Sequence, residues 1–265
     1  MVREWFTSRW RTVHSWTMVL RIVMSCLAIV ALAMPCLAKE APKPKLRPAN
    51  LKPALEDKPA PAFPVYNISV GWTVSDVDAA RAECGIKLRG LDLTYDALPP
   101  LGKAGGCGTA APILLRAIGA TRIVPPAEIN CDLAEALQGW VSSSLQPSAR
   151  EYLKKDLTVI NNASAYVCRR RNGLAAGKLS EHGIANAFDI ASLQFSDGSM
   201  TSIKGDWSGA TQLLGLSAKG NFLRRLRRDA CIRFTTVLGP GSDKYHGDHF
   251  HVDLARRRNG FRICK

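Results

Sequence analysis

Histidine is scarce in this chain, with five in 265 residues. Acidic residues are outnumbered, 22 against 36 lysines and arginines. None of the eight cysteines stands in a Cys-x-x-Cys spacing, which excludes a thiolate-held zinc knuckle. The apolar run Ile22 to Ala33 falls short of the ~20 residues that a comfortable membrane span needs. No nucleic-acid-binding motif accompanies the basic surplus.

What is present is concentrated. Four of the five histidines fall in two short stretches. The first is Ser180-Glu181-His182, followed by Ala187-Phe188-Asp189-Ile190; the second is His246-Gly247-Asp248-His249-Phe250-His251-Val252-Asp253. Imidazole and carboxylate are both ordinary zinc ligands, and a catalytic site uses three of them and leaves a position open for water. In the second stretch Phe250, Val252 and Leu254 alternate with His249, His251 and Asp253, the period of a β-strand, so His249 and His251 share a face. Both can hold the metal, or one can hold it while the other works on the substrate. Ala187–Ile190 reads as a second strand with Asp189 facing away from Phe188 and Ile190, and His182 belongs to the turn leading into it. The competing reading of each histidine is a hydrogen-bonded structural residue.

The N-terminus has the plan of a secretory signal peptide. Arg3, Arg9, Arg11 and Arg21 precede Ile22 to Ala33, and small residues around Ala38 mark a cleavage site, giving 1–38 as the signal peptide. The alternative is an uncleaved segment that tethers the protein to a membrane. Four arginines and one glutamate lie in that segment, so about +11 of the formal +14 stays on the remainder, and basic exported proteins meet anionic polymers or surfaces. Localisation is therefore expected in the periplasm or outside the cell. Nucleic acid is excluded as a partner. Residues 39–69 are rich in proline and lysine and read as a disordered linker. Residues 70–265 are long enough for one domain with a sizeable core, and no internal repeat divides them.

Six cysteines follow the signal segment, an even count that points to disulfides in an oxidising compartment. Fifteen pairings are possible; the neighbour rule pairs Cys84 with Cys107, Cys131 with Cys168, and Cys231 with Cys264. Ser75 is expected to cap a helix through Glu83, Asn130 or Asp132 to start another, and Ser148-Ala149-Arg150-Glu151 to form a capping box. Leu157–Ile160 and Ala165–Cys168 read as strand segments, Asp197-Gly198 as a hairpin turn, Asn221–Phe234 as a basic helix and Thr235–Leu238 as a strand. The fold class is α+β, a small antiparallel sheet carrying the zinc ligands, flanked by helices and stapled by disulfides.

Ser180-x-His182-x6-Asp189 with a later His249-x-His251 resembles the zinc peptidases that include D-alanyl-D-alanine carboxypeptidases, bacteriophage endolysins and penicillin-insensitive murein endopeptidases, and also the hedgehog signalling domain. Tyr166-x-Cys168-Arg169-x-Arg171-Asn172, Leu179–His182 and Val237–Gly241 are similar to the bacterial extensin-like C-terminal domain family, over roughly residues 82 to 264. The resemblance implies Zn2+ held by His182, Asp189 and His251, with His249 beside the reacting water or substrate. It departs at Ala185, where relatives carry glycine, and at Asp248, where many carry a glutamate as general base. Asp248, His249 and His246 are all left as candidate bases. Arg169 and Arg171 are candidates for stabilising an oxyanion or holding a substrate carboxylate, or else form surface salt bridges. The function expected is an exported zinc-dependent peptidase acting on peptidoglycan; the alternative is a non-catalytic, zinc-stabilised wall-binding or structural envelope module.

Overall fold

The structure, a computed structural model, describes residues 71–103, 105–207 and 217–265. The signal peptide 1–38 and the linker 39–69 lie outside the described residues, as do Cys26, Cys36 and His14. Among the described residues no helix is long and apolar enough to cross a membrane.

Helix α1 (Val74–Leu88) starts two residues earlier than the sequence suggests. Its cap is Thr73, not Ser75: the Thr73 hydroxyl accepts from the Asp76 amide while the Asp76 carboxylate takes the Thr73 amide, a reciprocal capping box. Strands β1 (Leu93–Ala97), β2 (Leu101–Lys103), β3 (Cys107–Thr109), β4 (Ile113–Ile118) and β5 (Thr121–Ile129) follow. Asn130 then caps helix α2 (Cys131–Trp140), its side chain accepting from the Leu133 amide at 2.9 Å. The expected capping box at Ser148 does not form. Helical backbone runs on through Val141–Leu145 and Ala149–Leu153, so Ser148 sits mid-helix with no cap bond, and the run ends at left-handed Lys154.

The rest of the chain supplies β6 (Leu157–Ser164), β7 (Ala187–Phe195), β8 (Met200–Ser202), the short helix α3 (Ile203–Asp206), helix α4 (Ala218–Arg233), β9 (Thr236–Leu238), β10 (Phe250–Asp253) and β11 (Ile263–Cys264). The Asp197-Gly198 turn joins β7 to β8 as read from the sequence. The sheet is large and mixed, where a small antiparallel one was expected. Nine strands run in the order β1-β4-β5-β6-β7-β10-β9-β11, with β8 on β7. Two pairs, β5–β6 and β9–β11, are parallel. A parallel pair needs a crossover of a dozen or more residues, and the helical stretch from Cys131 to Leu153 is that crossover for β5–β6.

The core lies between this sheet and helices α2 and α4. Leu133, Leu137, Trp140, Phe222, Leu223 and Leu226 are all nearly inaccessible, and Trp140 meets Phe234 edge-to-face at 5.5 Å. Of the expected disulfides, Cys231–Cys264 is present and ties β11 to α4. The other two pairings are wrong: the bonds are Cys84–Cys131 and Cys107–Cys168. The β4–β5 hairpin lies between these cysteines in sequence. It carries the chain from Cys107 back to α1, so that Cys131 at the start of α2 meets Cys84 and leaves Cys107 to Cys168.

Candidate metal centre

Strand β7 sits at the middle of the site. β6 and β10 pair with it on either side, placing Ser164 opposite Asp189 on one flank and His251 opposite Asp189 on the other. The turn before β7, Glu181–Ile184, carries His182, and left-handed Ala185 (φ 55°), fully buried, swings the chain from that turn into the strand. A left-handed residue is where glycine is at ease, a physical reason for the glycine expected at this position.

His182, Asp189 and His251 come together here, 1%, 5% and 7% exposed. One donor atom of each lies within 4.8 Å of the others. His182 Nε2 stands 3.2 Å from Asp189 Oδ2 and 3.2 Å from His251 Nδ1, and His251 Nδ1 is 2.8 Å from Asp189 Oδ1. Two donors bound tetrahedrally at the usual zinc distance of ~2.0–2.1 Å stand about 3.3 Å apart, so this spacing fits one ion with little movement.

The nitrogen of each imidazole that faces away from the cluster is already engaged. His182 Nδ1–H donates to the Ala165 carbonyl at 2.6 Å. A carbonyl only accepts, so Nδ1 carries a hydrogen and Nε2 is the ring nitrogen that faces the cluster, the one that would offer a lone pair to an ion once deprotonated. His251 Nε2–H donates to Asp253 Oδ2 at 2.9 Å, and the other Asp253 oxygen is held by the Ala255 amide. These are the outer partners that fix the tautomer of metal-binding histidines. Ala165–Cys168, expected as strand, is not one: β6 ends at Ser164, and the next backbone groups serve His182, Ala165 through its carbonyl and Val167 through an amide bond to the His182 carbonyl.

The charges reinforce one another. Burial disfavours a charged Asp189, but bonds from His182 and His251 outweigh it and hold the carboxyl well below the usual range. Burial also disfavours charging His251, but carboxylates on both its nitrogens win, raising its pKa to about 9. Asp253 is likewise lowered, burial being outweighed by His251.

Above the cluster opens a cleft of ≈ 470 Å³, with Arg169, Arg171, His246, His249, Asp243 and Tyr245 among its lining residues. His249 Nε2 is 3.8 Å from Asp189 Oδ2, and its Nδ1 is bonded to Asp248 at 2.8 Å. His246 is held the same way by Asp243, at 2.7 Å, and its ring lies 5.2 Å from that of His249 and 5.5 Å from that of His251. All three candidate bases therefore gather at one place, two of them as an Asp–His pair. Arg171 stands 3.5 Å from Glu181, while the Arg169 guanidinium makes no hydrogen bond or ion pair among the described residues.

Sequence reasoning assigned no role to Asp253 or Asp243. For Asp253 the signal was present, since it follows His251 by two on a strand and so shares its face. For Asp243 the nearest signal was the turn-forming Gly-Pro-Gly-Ser-Asp stretch, which does not reveal a histidine partner.

Fold and cluster together define an α+β domain with a buried His–Asp–His group able to hold a metal ion. The chain belongs to the family described as extensin-like protein C-terminus, whose model matches residues 82–265. No curated protein and no solved structure matches it.

Proposed function

We propose that this protein is an exported zinc-dependent hydrolase of amide bonds in peptidoglycan peptides. The observation that carries the metal is the pair of outer contacts, Ala165 on His182 and Asp253 on His251, which turn the other nitrogen of each ring toward Asp189. Three disulfides support an oxidising compartment, and the basic surplus suits an anionic wall polymer. His182, Asp189 and His251 would hold the zinc, which would supply Lewis acidity for water and for the scissile carbonyl.

The protein groups divide the remaining work. His249 is the base: Asp248 accepts from its Nδ1–H, leaving Nε2 free on the side of Asp189. It takes the proton of the attacking water and returns it to the leaving amine. Asp248, 61% exposed at its side chain, serves as the carboxylate that orients His249. His246, held by Asp243, is the second proton-carrying group within reach. Arg169, whose guanidinium has no partner among the described residues, is placed to meet a developing oxyanion or a substrate carboxylate.

The test is digestion of purified sacculi. Zinc-loaded protein should release muropeptides, chelation should stop release, and zinc should restore it. Protein that carries zinc and binds sacculi but releases nothing would instead be a zinc-stabilised wall-binding module.

A further inference from the structure

The pentapeptide Arg-Arg-Arg-Asn-Gly occurs twice, at 169–173 and at 256–260. The expectation of a repeat-free domain passed over it, because five residues are far too few to build a repeat architecture. The two copies nevertheless fold alike. Each ends in a single 3-10 turn, Arg171–Gly173 and Arg258–Gly260. Asn172 and Asn259 are left-handed at φ 57° and 61°, and the following glycines at 68° and 65°. The Gly173 amide donates to the Arg170 carbonyl at 3.2 Å, and the Gly260 amide to the Arg257 carbonyl at 3.3 Å. Asparagine tolerates this conformation and glycine favours it, so the shared sequence dictates the shared turn. Each turn is followed by an exposed apolar residue, Leu174 at 56% and Phe261 at 64%.

Their placement is also matched. β6 and β10 are both antiparallel to β7 and so run toward the same end of the sheet, finishing beside Asp189 and Ala187. One turn follows each strand, so the two copies leave that end on either side of the strand that bears Asp189. Arg169 and Arg171 of the first and Arg257 of the second line the cleft. Arg257 is spent on the Thr235 carbonyl and the Thr236 hydroxyl, and Arg170 on the Gly177 carbonyl. The side chains of Arg169, Arg256 and Arg258 have no hydrogen bond or ion pair among the described residues.

We propose that the two turns form a paired anion grip that binds a polycarboxylate peptide strand across the cleft, with carboxylates on both sides of the segment that lies over His182, Asp189 and His251. This rests on the reading of the cleft as a wall-peptide site. Guanidinium forks match carboxylates in geometry and charge; Arg169 supplies one inside the cleft, and exposed Arg256 and Arg258 supply two on either side of the cleft-lining Arg257. An anionic lipid surface is the other partner that cations beside exposed apolar residues suit. The cleft-lining arginines favour a strand that enters the site.

The grip is tested by equilibrium binding, separately from turnover. Purified protein is sedimented with sacculi in chelator, its fold checked by circular dichroism; should chelation unfold it, zinc-loaded His249→Gln protein replaces it. Amidating the sacculus carboxylates should weaken binding roughly tenfold, and so should added salt, which screens exposed charges. Arg169→Gln and the pair Arg256→Gln/Arg258→Gln should each weaken it about threefold to tenfold, and the triple variant more than either, with thermal unfolding unchanged. Equal binding to amidated sacculi, or undiminished binding by the triple variant, overturns the grip while leaving the hydrolase reading untouched. Capture by phosphatidylglycerol vesicles that is lost in Leu174→Ser/Phe261→Ser, with binding to sacculi unaffected by the arginine changes, overturns it in favour of a lipid surface. Failure to hydrolyse sacculi bears on the hydrolase reading alone.

Discussion

The site has two kinds of histidine, and they are held in different ways. His182 and His251 are buried, and each has one ring nitrogen fixed by an outer partner from the sheet or its immediate continuation. His246 and His249 stand on the loop between β9 and β10, each steered by a carboxylate of that same loop. The first pair is positioned within the sheet and its continuation: Ala165, seventeen residues away, fixes His182, while Asp253, two places on along β10, fixes His251 beside β7. The second is positioned locally, by residues three and one places away. An ion needs donors fixed in advance, whereas a proton carrier must reach a substrate and give up what it takes. The contrast suits ligands below and acid–base groups above.

The comparison is broken most severely from below. His182→Ala, Asp189→Ala and His251→Ala should each abolish zinc retention, one ion per chain falling to none by elemental analysis, and with it muropeptide release. One ligand's share of the ~10–16 kcal/mol typical of structural zinc is roughly 3–5 kcal/mol. Retention of full zinc by Asp189→Ala would remove the centre from this place. From above the effect should be selective. His249→Ala should keep its zinc and lose about 10²–10⁴-fold in turnover, the usual worth of a general base. Asp248→Ala should follow it more weakly, since the ring stays but its orientation is lost. Wild-type turnover in both would move the base to His246.

How much of this was legible follows from the range over which each feature is encoded. The strands carrying Asp189 and His251 were readable, because alternation is a property of neighbouring residues. So was the hairpin at Asp197-Gly198, and so was Asn130 as a cap. The ligand set came from resemblance, since spacing alone left His249 and His251 equivalent. The size and mixed character of the sheet were not readable, because the parallel pairing of β5 with β6 depends on where the long crossover through residues 130–156 returns. The pairing of Cys107 with Cys168 was lost for the same reason. Ala165–Cys168 reads as a strand or strand-edge segment; its backbone instead serves a histidine seventeen residues away, which no local pattern reveals.

That disulfide gives the next prediction. Cys107–Cys168 closes a loop with a sequence separation of 61, and chain entropy makes such a bond worth about 4 kcal/mol. It also lies against the turn that carries His182: a Cβ added to Gly183 would sit 3.2 Å from Cys107 Sγ. The double variant Cys107→Ser/Cys168→Ser should lower stability in denaturant by about that amount and weaken zinc binding. Cys231→Ser/Cys264→Ser, whose bond closes a shorter span, should cost a little less and spare zinc affinity. Equal loss of zinc affinity in both would mean that disulfides act on the centre only through global stability.

The smallest effect separates the two kinds of histidine most finely. Asp253 and Asp243 each accept from a histidine ring at close range, 2.9 Å and 2.7 Å. Composition and distance do not tell them apart, but their roles should differ. Asp253 lies behind His251, a proposed ligand, so Asp253→Asn should weaken zinc about 10–100-fold, as loss of an outer-shell carboxylate typically does. The amide keeps the shape and its one oxygen can still accept from Nε2–H at the cost of the bond from the Ala255 amide, so thermal unfolding is measured alongside. Asp243 lies behind His246, which is not among the three ligands, so Asp243→Asn should leave zinc affinity at the wild-type value and change only the pH profile of turnover. Competition with a chelator of known strength reads both affinities directly. Equal losses in the two variants would show that the cluster and its rim are one coupled network, in which His246 bears on the ion as much as on the substrate.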